Sequence, residues 1–185
     1  TESADGVTEK YEVQSIVVGD GRNGKKADGF FTLSFTDAYG DDWTTRPIRI
    51  TDPDIVPPTT GNANLDVSSA QDVTALEVRA ALMEIPNHVF DDVEVNWEKV
   101  TERYAATPTT TVDYNKYTVT FISPATSGPQ SLLRCNFKGC DFDGCQPRFT
   151  GIGSLDNVGS ALTRKCVVRG YIESVVTGDG ARVGT

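Results

Sequence analysis

Short runs in which apolar and polar residues alternate dominate this chain and constrain its fold more than any other feature. Phe31, Leu33 and Phe35 share one face of a predicted strand, and the Thr and Ser residues between them share the other face. Similar alternation marks residues 93–97 and 117–121. Further strands are predicted at about 9–19, 43–50, 130–136 and 164–177. The pattern is typical of a mainly β chain built from short antiparallel strands.

One helical segment interrupts the predicted strands. Thr74 followed three residues later by Glu77 gives a capping box, and Pro86 supplies a stop, so a helix is predicted over 73–85. Its apolar face is formed by Val78, Ala81, Leu82 and Ile85. A lone amphipathic helix is expected to cover an open end or edge of a sheet. The predicted fold is therefore an antiparallel β-sandwich, Ig-like in architecture, of about seven strands with one packed α-helix.

Composition excludes several classes of function. The chain has 185 residues, of which 38% are hydrophobic and 23% charged, which is enough for one good core. No apolar run approaches the roughly 20 residues of a membrane helix, so membrane insertion is not expected. A net charge of -9 argues against a nucleic-acid partner and against an anionic membrane surface. A single His rules out a His-rich metal site within one chain, and no catalytic residues are predicted. The chain is not expected to be an enzyme.

The four cysteines favour an oxidising compartment. Cys135, Cys140, Cys145 and Cys166 lack the paired spacing of a zinc ribbon, so two disulfides are expected. Four cysteines allow three pairings. The favoured one joins Cys140 to Cys145 and Cys135 to Cys166. A start at Thr1 without Met is typical of a processed chain or of a segment of a longer one. The expected location is extracellular, on a cell-surface appendage.

Two Thr- and Pro-rich segments, 52–69 and 104–113, are predicted to be loops. No Asn-X-Ser/Thr sequon occurs in the chain, so any covalent glycan would be O-linked. A plain polar loop is the alternative. The candidate attachment residues are Pro57, Pro58, Thr59, Thr60, Thr107, Pro108, Thr109, Thr110 and Thr111.

The two ends of the chain resemble each other. Residues 13–21 read VQSIVVGDG and residues 172–180 read IESVVTGDG, and five of the nine positions are identical. Either the match is chance, because Gly-Asp-Gly after a Val-rich strand is a common hairpin signal, or it marks a repeat. In the second case the last strand would be spare and could be donated to a neighbouring subunit. The residues expected on this assembly strand are Val13, Ser15, Val17, Val168, Ile172 and Val176.

This interpretation divides the chain into three parts. Residues 1–22 form an N-terminal strand segment, open to sharing with a neighbour, and 23–160 form the β-sandwich core with helix 73–85. Residues 161–185 form a C-terminal strand of the same type as the N-terminal one, which could be donated to the next subunit.

Four segments resemble a known family. They are Phe31-Thr-Leu33-Ser-Phe35, Thr45-Arg-Pro-Ile48, the helix with Ala81-Leu82 and Ile85-Pro86, and Val93-Glu-Val95. Together they are similar to the F-x-L-x-F, A-L-x-x-L-P and V-x-V pattern of a repeated β-module in large secreted algal and protist surface and filament proteins. The resemblance covers roughly residues 10–155 and implies an extracellular, often glycan-coated β-sandwich module with no catalytic residues. The 52–69 insertion and the four cysteines depart from it.

The sequence therefore predicts a structural protomer or repeat module of an extracellular, glycosylated filament, assembled head to tail with identical subunits or neighbouring modules by strand sharing. The alternative is a calcium-dependent or carbohydrate-binding adhesion domain. Asp141 and Asp143 resemble the start of a calcium loop, although the remaining ligands of an EF-hand are missing, so Ca²⁺ is the one cofactor considered. Asp37, Asp41 and Asp42 form a second acidic group. Tyr39 and Trp43 are the better candidates for a surface aromatic pair, because Trp97 alternates inward.

Overall fold

The computed structural model describes residues 9–19, 29–50, 69–86, 89–90, 92–103, 111–122, 130–151 and 164–176. This part of the chain contains eight strands and one helix, compared with about seven strands expected. The strands are β1 (Glu9–Gly19), β2 (Phe30–Thr36), β3 (Asp42–Thr44), β4 (Ile48–Arg49), β5 (Val93–Arg103), β6 (Thr111–Phe121), β7 (Arg134–Asn136) and β8 (Lys165–Val176). The helix α1 (Ser69–Met83) lies between β4 and β5 in the sequence.

The first sheet contains the four long strands in the order β5-β6-β1-β8, and each is antiparallel to its neighbour. Since side chains alternate across a strand, each strand has an inner face toward the core and an outer face. Tyr117, Val119 and Phe121 of β6 are fully buried on the inner face, as their alternation predicts. Val93 is also fully buried, and Val95 and Trp97 pack partly buried against the same core.

The second sheet is arranged around β2, which pairs with β3, β4 and β7. The predicted strand 43–50 is divided into β3 and β4 because Thr45 leaves the regular ladder: its N–H donates to the Leu33 carbonyl oxygen, and its hydroxyl accepts the Leu33 N–H at 3.0 Å. The predicted strand 130–136 is shortened to β7. Residues 131–133 bond instead to the side chain of Gln14.

One core receives side chains from both sheets and from the helix. Phe31 stacks on Tyr117 with ring centroids 6.1 Å apart, and Phe90 lies between Phe35 and Phe121 at 4.7 and 5.3 Å. The predicted apolar face of the helix is buried in this core. The predicted start of the helix is wrong, since α1 begins at Ser69 and Thr74 lies inside it. A capping-box spacing can also occur within a helix, where it caps nothing.

The prediction that the C-terminal strand would find no place in its own chain is also wrong. Strand β8 pairs antiparallel with β1 from Gly19↔Lys165 to Glu9↔Val176. Strand β1 is thereby flanked by β6 on one side and by β8 on the other. The sequence match implied that the two strands would occupy equivalent positions, so that only one of them could fit in the sheet. In the structure they pair with each other as antiparallel neighbours, so they do not compete for one position. The N-terminal and C-terminal segments thus belong to the same sheet as the central strands.

Candidate functional site: the two edges of the first sheet

The first sheet ends in two long strands that carry opposite charge. Among the described residues no strand pairs with the far side of β5 or of β8. The outer face of β5 carries three carboxylates, Glu94, Glu98 and Glu102, and we name this side the acidic edge. The outer face of β8 carries two bases, Lys165 and Arg169, and we name this side the basic edge. Open strand edges present unpaired backbone groups and are templates for pairing with another chain.

On the basic edge an apolar side chain stands between the two charges. Val167 lies between Lys165 and Arg169 on the outer face and is 44% exposed. Arg169 is exposed as well. Behind the strand Leu132 is 49% exposed, and its Cδ1 would lie 3.1 Å from a Cβ added at Gly170. This edge therefore combines an exposed cation with exposed apolar surface.

A long ionic contact crosses the outer face from one edge to the other. The Lys165 ammonium lies 4.9 Å above the centroid of the Tyr114 ring and bonds to the Glu102 carboxylate at the opposite edge. Gly19 of β1 lies in between, and a Cβ there would stand 3.2 Å from the Tyr114 ring. The glycine thus lets the ring and the lysine pack closely over β1. The contact fixes Lys165, whereas Arg169 extends into solvent.

Behind β8 a buried polar cluster joins the two sheets. Gln14 is fully buried; its amide nitrogen donates to the Ser131 carbonyl at 3.1 Å, and its oxygen accepts the Leu133 N–H at 2.8 Å. The carboxylate of Glu12, also buried, accepts hydrogen bonds from the Gln14 amide and from the Gln130 N–H. In each of these contacts a donor meets an acceptor, so the cluster is a structural clamp. The alternation pattern did not reveal it, because polar side chains at these positions indicate an outer face.

Both disulfides are the pairs that the spacing favoured. Cys135 of β7 is bonded to Cys166 of β8, with Cα atoms 5.4 Å apart, and it ties the second sheet to the basic edge of the first. Cys140 is bonded to Cys145, with Cα atoms 5.7 Å apart, and it closes a short loop. Phe142 at the tip of this loop is 70% exposed. The described residues contain no free cysteine.

The residues predicted for the assembly strand have different environments. Val13 and Ser15 are buried on the outer face of β1, and Val17 is half-buried there. Val168 packs partly buried against the core from β8. Ile172 and Val176 lie within β8, opposite Glu12 and Glu9 of β1, and their side chains fall outside the described residues. Sequence reasoning missed the charged side chains of the same strand, Lys165 and Arg169, although their four-residue spacing was visible.

The glycosylation candidates fall almost entirely outside the described residues. This holds for the whole of the first Thr/Pro cluster and for all of the second except its last member. Thr111 is described: it is exposed, begins β6 and pairs with Arg103 of β5. The candidates outside the description are Pro57, Pro58, Thr59, Thr60, Thr107, Pro108, Thr109 and Thr110.

The acidic residues considered for calcium do not converge. Asp141 and Asp143 are exposed in the disulfide loop, and Asp143 is paired with Arg148. No group of three or more potential metal ligands occurs in the part of the chain that is described. The Asp37 carboxylate is used within its own turn, where it accepts the N–H groups of Tyr39 and Asp41, each at 2.9 Å.

The aromatic pair predicted for the surface is only half exposed. Tyr39 at the tip of the β2–β3 turn is 93% exposed, whereas Trp43 is half-buried and donates its indole N–H to Asp37 at 2.9 Å. That hydrogen bond, supported by backbone N–H groups, holds the pKa of Asp37 below its ordinary value of 3.8. Hydrogen bonds from Thr36 and then Arg134 likewise lower the pKa of Asp42. These carboxylates therefore hold the turn in shape.

One core residue has an unsatisfied polar atom. The Tyr117 hydroxyl is buried without a hydrogen-bond partner, and its burial raises the pKa of the phenol above the usual 10.0. It lies among core side chains, on the strand next to β5.

No family model, no curated protein and no solved structure matches this chain. Over the described residues, no helix is both long and apolar enough to cross a bilayer.

Proposed function

We propose that the chain is a structural protomer of an extracellular filament or surface array, built by head-to-tail association of identical subunits or neighbouring modules. The observation that carries this proposal is the pair of open edges with opposite charge at the two sides of one sheet. Contacts between unlike surfaces of identical subunits do not close on themselves, so they generate open chains of subunits. The resemblance to repeated modules of algal and protist surface proteins points in the same direction.

The fold supports the same function. We regard the two sheets as an Ig-like β-sandwich, in which a shared core holds both outer faces and both edges rigid. Two disulfides reinforce it and suit a secreted protein. O-linked glycans on the Thr/Pro segments would keep the surface outside the edges hydrated and unavailable for other contacts. Covalent glycans are therefore part of the proposal.

The way in which subunits join differs from the strand donation expected from the sequence. Strand β8 is already paired with β1 along almost its whole length. Its donation to a neighbour would break that ladder, whereas pairing through its far side, where no strand of the described residues lies, would leave the ladder intact. Association through the edges thus needs no refolding of the protomer.

Exposed Tyr39 favours a second candidate function, a carbohydrate-binding adhesion domain. Aromatic rings at a turn tip can stack on sugar faces. Tyr39 and Phe142 lie near opposite ends of β2, because Ser34 pairs with β3 and Phe30 bonds to Thr150 beside the disulfide loop. They therefore do not form one site, and Tyr39 alone would carry the binding.

Size-exclusion chromatography with negative-stain imaging of the purified chain separates the two functions. A protomer elutes ahead of a 20.0 kDa monomer and forms linear particles. An adhesion domain elutes as a monomer and binds a glycan array through Tyr39, so that Tyr39→Ala abolishes the binding. A monomer that binds no glycan contradicts both functions.

A further inference from the structure

We propose that the basic edge of one copy pairs with the acidic edge of the next, so that β8 and β5 continue a single antiparallel sheet from subunit to subunit. This inference rests on the proposed function and names its interface. The partner is a second copy of this chain, and the contact is a backbone ladder with matched side chains on the outer face. Addition of a strand to an open edge is an established mode of recognition.

Strand direction permits this contact between copies in the same orientation. The four strands of the sheet alternate in direction, so β5 and β8 run opposite to each other. When a second copy is placed beside the first without inversion, its β5 lies antiparallel to the first copy's β8. The outer faces of the two sheets then lie on the same side. A continuous sheet results, in the geometry that every other strand pair of this sheet already has.

Charge selects this pairing over the two symmetric ones. Two basic edges placed together would bring Lys165 and Arg169 near their own copies. Two acidic edges would bring three carboxylates near three others, with Glu98 paired to Lys116 and Glu102 to Lys165 of the same chain. Like charges directly opposite each other on paired strands are destabilising, whereas opposite charges are favourable. The contact between unlike edges is therefore favoured, and it leaves an unlike edge open at each end for the next copy.

The side chains also specify the register. When Lys165 stands opposite Glu102 of the next copy, Val167 stands opposite Val100 and Arg169 opposite Glu98. Arg169 then approaches the Glu98 carboxylate, which also bonds to Lys116 of its own chain, and Lys165 approaches a Glu102 that is bonded to the lysine of its own chain. The exposed valine meets another apolar side chain.

Other registers fit less well. A shift by two residues removes both ion pairs. A shift by four residues toward the start of β5 restores them but sets Val167 opposite the amide of Asn96. It also brings the ladder to Val93, whose carbonyl oxygen already accepts a hydrogen bond from Arg79 at 2.9 Å. At the other end the chosen ladder reaches the bulge of β8 between Ile172 and Ser174, where regular pairing stops.

Interchain cysteine cross-linking tests both the edges and the register. One preparation carries Val100→Cys and a second carries Val167→Cys, and the two are mixed and mildly oxidised. Within one chain these positions lie on the two outermost strands, about 14 Å apart across three strand spacings, beyond the reach of a disulfide. Any bond between them joins two chains. Peptide mapping confirms that Cys135–Cys166 and Cys140–Cys145 are unchanged.

The expected product is a heterodimer linked through positions 100 and 167. A matched mixture of Asn96→Cys with Val167→Cys is expected to give little product. Homodimers of either single variant would indicate symmetric edges and overturn the proposal, as would preferential linkage through position 96. If the wild-type chain self-associates and position 100 does not cross-link, the interface is wrong and the proposed function stands. If the wild-type chain does not self-associate, both are wrong.

Charge reversal provides the second measurement. Arg169→Glu and Glu98→Lys are each expected to weaken self-association by about threefold to thirtyfold, because each replaces an attraction across the interface with a repulsion. The double variant restores the attraction with the charges exchanged, and most of the association is expected to return. Arg49→Glu, an exposed substitution on β4 with the same charge change as Arg169→Glu, is the control and should have no effect. If the double variant loses as much free energy of association as the two single variants together, the proposed pairing is wrong.

Discussion

The side chain of Gln14 takes the place of a neighbouring strand for residues 131–133. Its amide accepts from one backbone N–H and donates to one carbonyl of this segment, as a peptide group of a paired strand would. Because Gln14 is fully buried, water cannot replace these bonds when the amide is lost. The amide also donates to the buried Glu12 carboxylate at 2.9 Å.

Substitution of Gln14 by leucine is therefore expected to reduce the free energy of unfolding by about 2–4 kcal/mol, since a backbone N–H, a carbonyl and a carboxylate lose a partner in the interior. Urea denaturation followed by circular dichroism measures this loss. Ser34→Ala, on the outer face of β2, is the control and should change stability by less than about 0.5 kcal/mol. Equal stability of the Gln14 variant and the wild-type chain would show that the clamp contributes nothing.

The Asp37 turn is expected to respond to pH. Its hydrogen bonds lower the pKa of the carboxyl below 3.8 in the folded chain, so the folded chain binds fewer protons there than the unfolded chain does. The stabilisation is therefore complete above the unfolded pKa and is lost as the pH falls through the lower folded pKa. In Asp37→Asn the side chain does not titrate, so the stability difference from wild type should be constant between about pH 7 and 5 and shrink below pH 3.8. Denaturation curves at several pH values test this, and a difference that grows on acidification would contradict it.

At the scale of elements, alternation predicted the strands well where one face meets the core. The inner faces of β2, β5 and β6 are the predicted ones, because burial of one face imposes a strict two-residue period. It failed in β1, where Glu12 and Gln14 point inward along with Ile16 and Val18. Near Glu12 and Gln14 the inner face of β1 contacts the backbone of residues 130–133, and near Ile16 and Val18 it contacts the apolar core. A hydrophobic pattern cannot reveal a polar partner that lies over a hundred residues away in the sequence.

The candidate site could be predicted only in part. The end-to-end match drew attention to residues 164–177, but sequence gives no information on which strands are neighbours. Whether two similar strands compete for one place or pair with each other depends on the topology of the whole sheet. An interface can be inferred from the charged side chains only when β5 and β8 are known to be the outermost strands. These side chains are Glu98, Glu102, Lys165 and Arg169.

The two disulfides are expected to differ in their effect on stability. Cys135 and Cys166 are 31 residues apart and Cys140 and Cys145 are 5 apart, so the first bond removes more chain entropy from the unfolded state. Loss of the first, by alanine at both positions, should cost about 3–4 kcal/mol, and loss of the second about 2 kcal/mol. Thermal unfolding of the two double variants gives the order. A larger loss for the short loop would show that chain entropy does not govern these bonds.

At the scale of the whole molecule the glycan proposal makes a prediction about mass. Protein isolated from its natural source should exceed the mass of the 20.0 kDa polypeptide, because the Thr/Pro segments would carry O-linked sugar. Intact-mass spectrometry before and after chemical deglycosylation gives the difference, and peptide mapping locates it. An intact mass equal to the polypeptide, less the hydrogens lost in the two disulfides, would exclude the glycans.

The molecule as a whole combines one shared core with two edges of opposite charge, the acidic edge and the basic edge. The acidic excess of the chain, a net charge of -9, opposes unspecific contact between copies. A base-rich edge on such a chain is therefore a local exception, and it gives one specific place where two copies attract each other. The disulfide at Cys166 holds that edge in place from behind, on the second sheet.

Sedimentation velocity over a range of protein concentrations tests the central claim, self-association through unlike edges, most directly. Because each added copy leaves an open edge, the weight-average sedimentation coefficient is expected to rise with concentration without reaching the plateau of a dimer or a closed ring. Arg169→Glu should move the rise to higher concentration. A single species of 20.0 kDa at every concentration, or a plateau at the dimer, would contradict the claim.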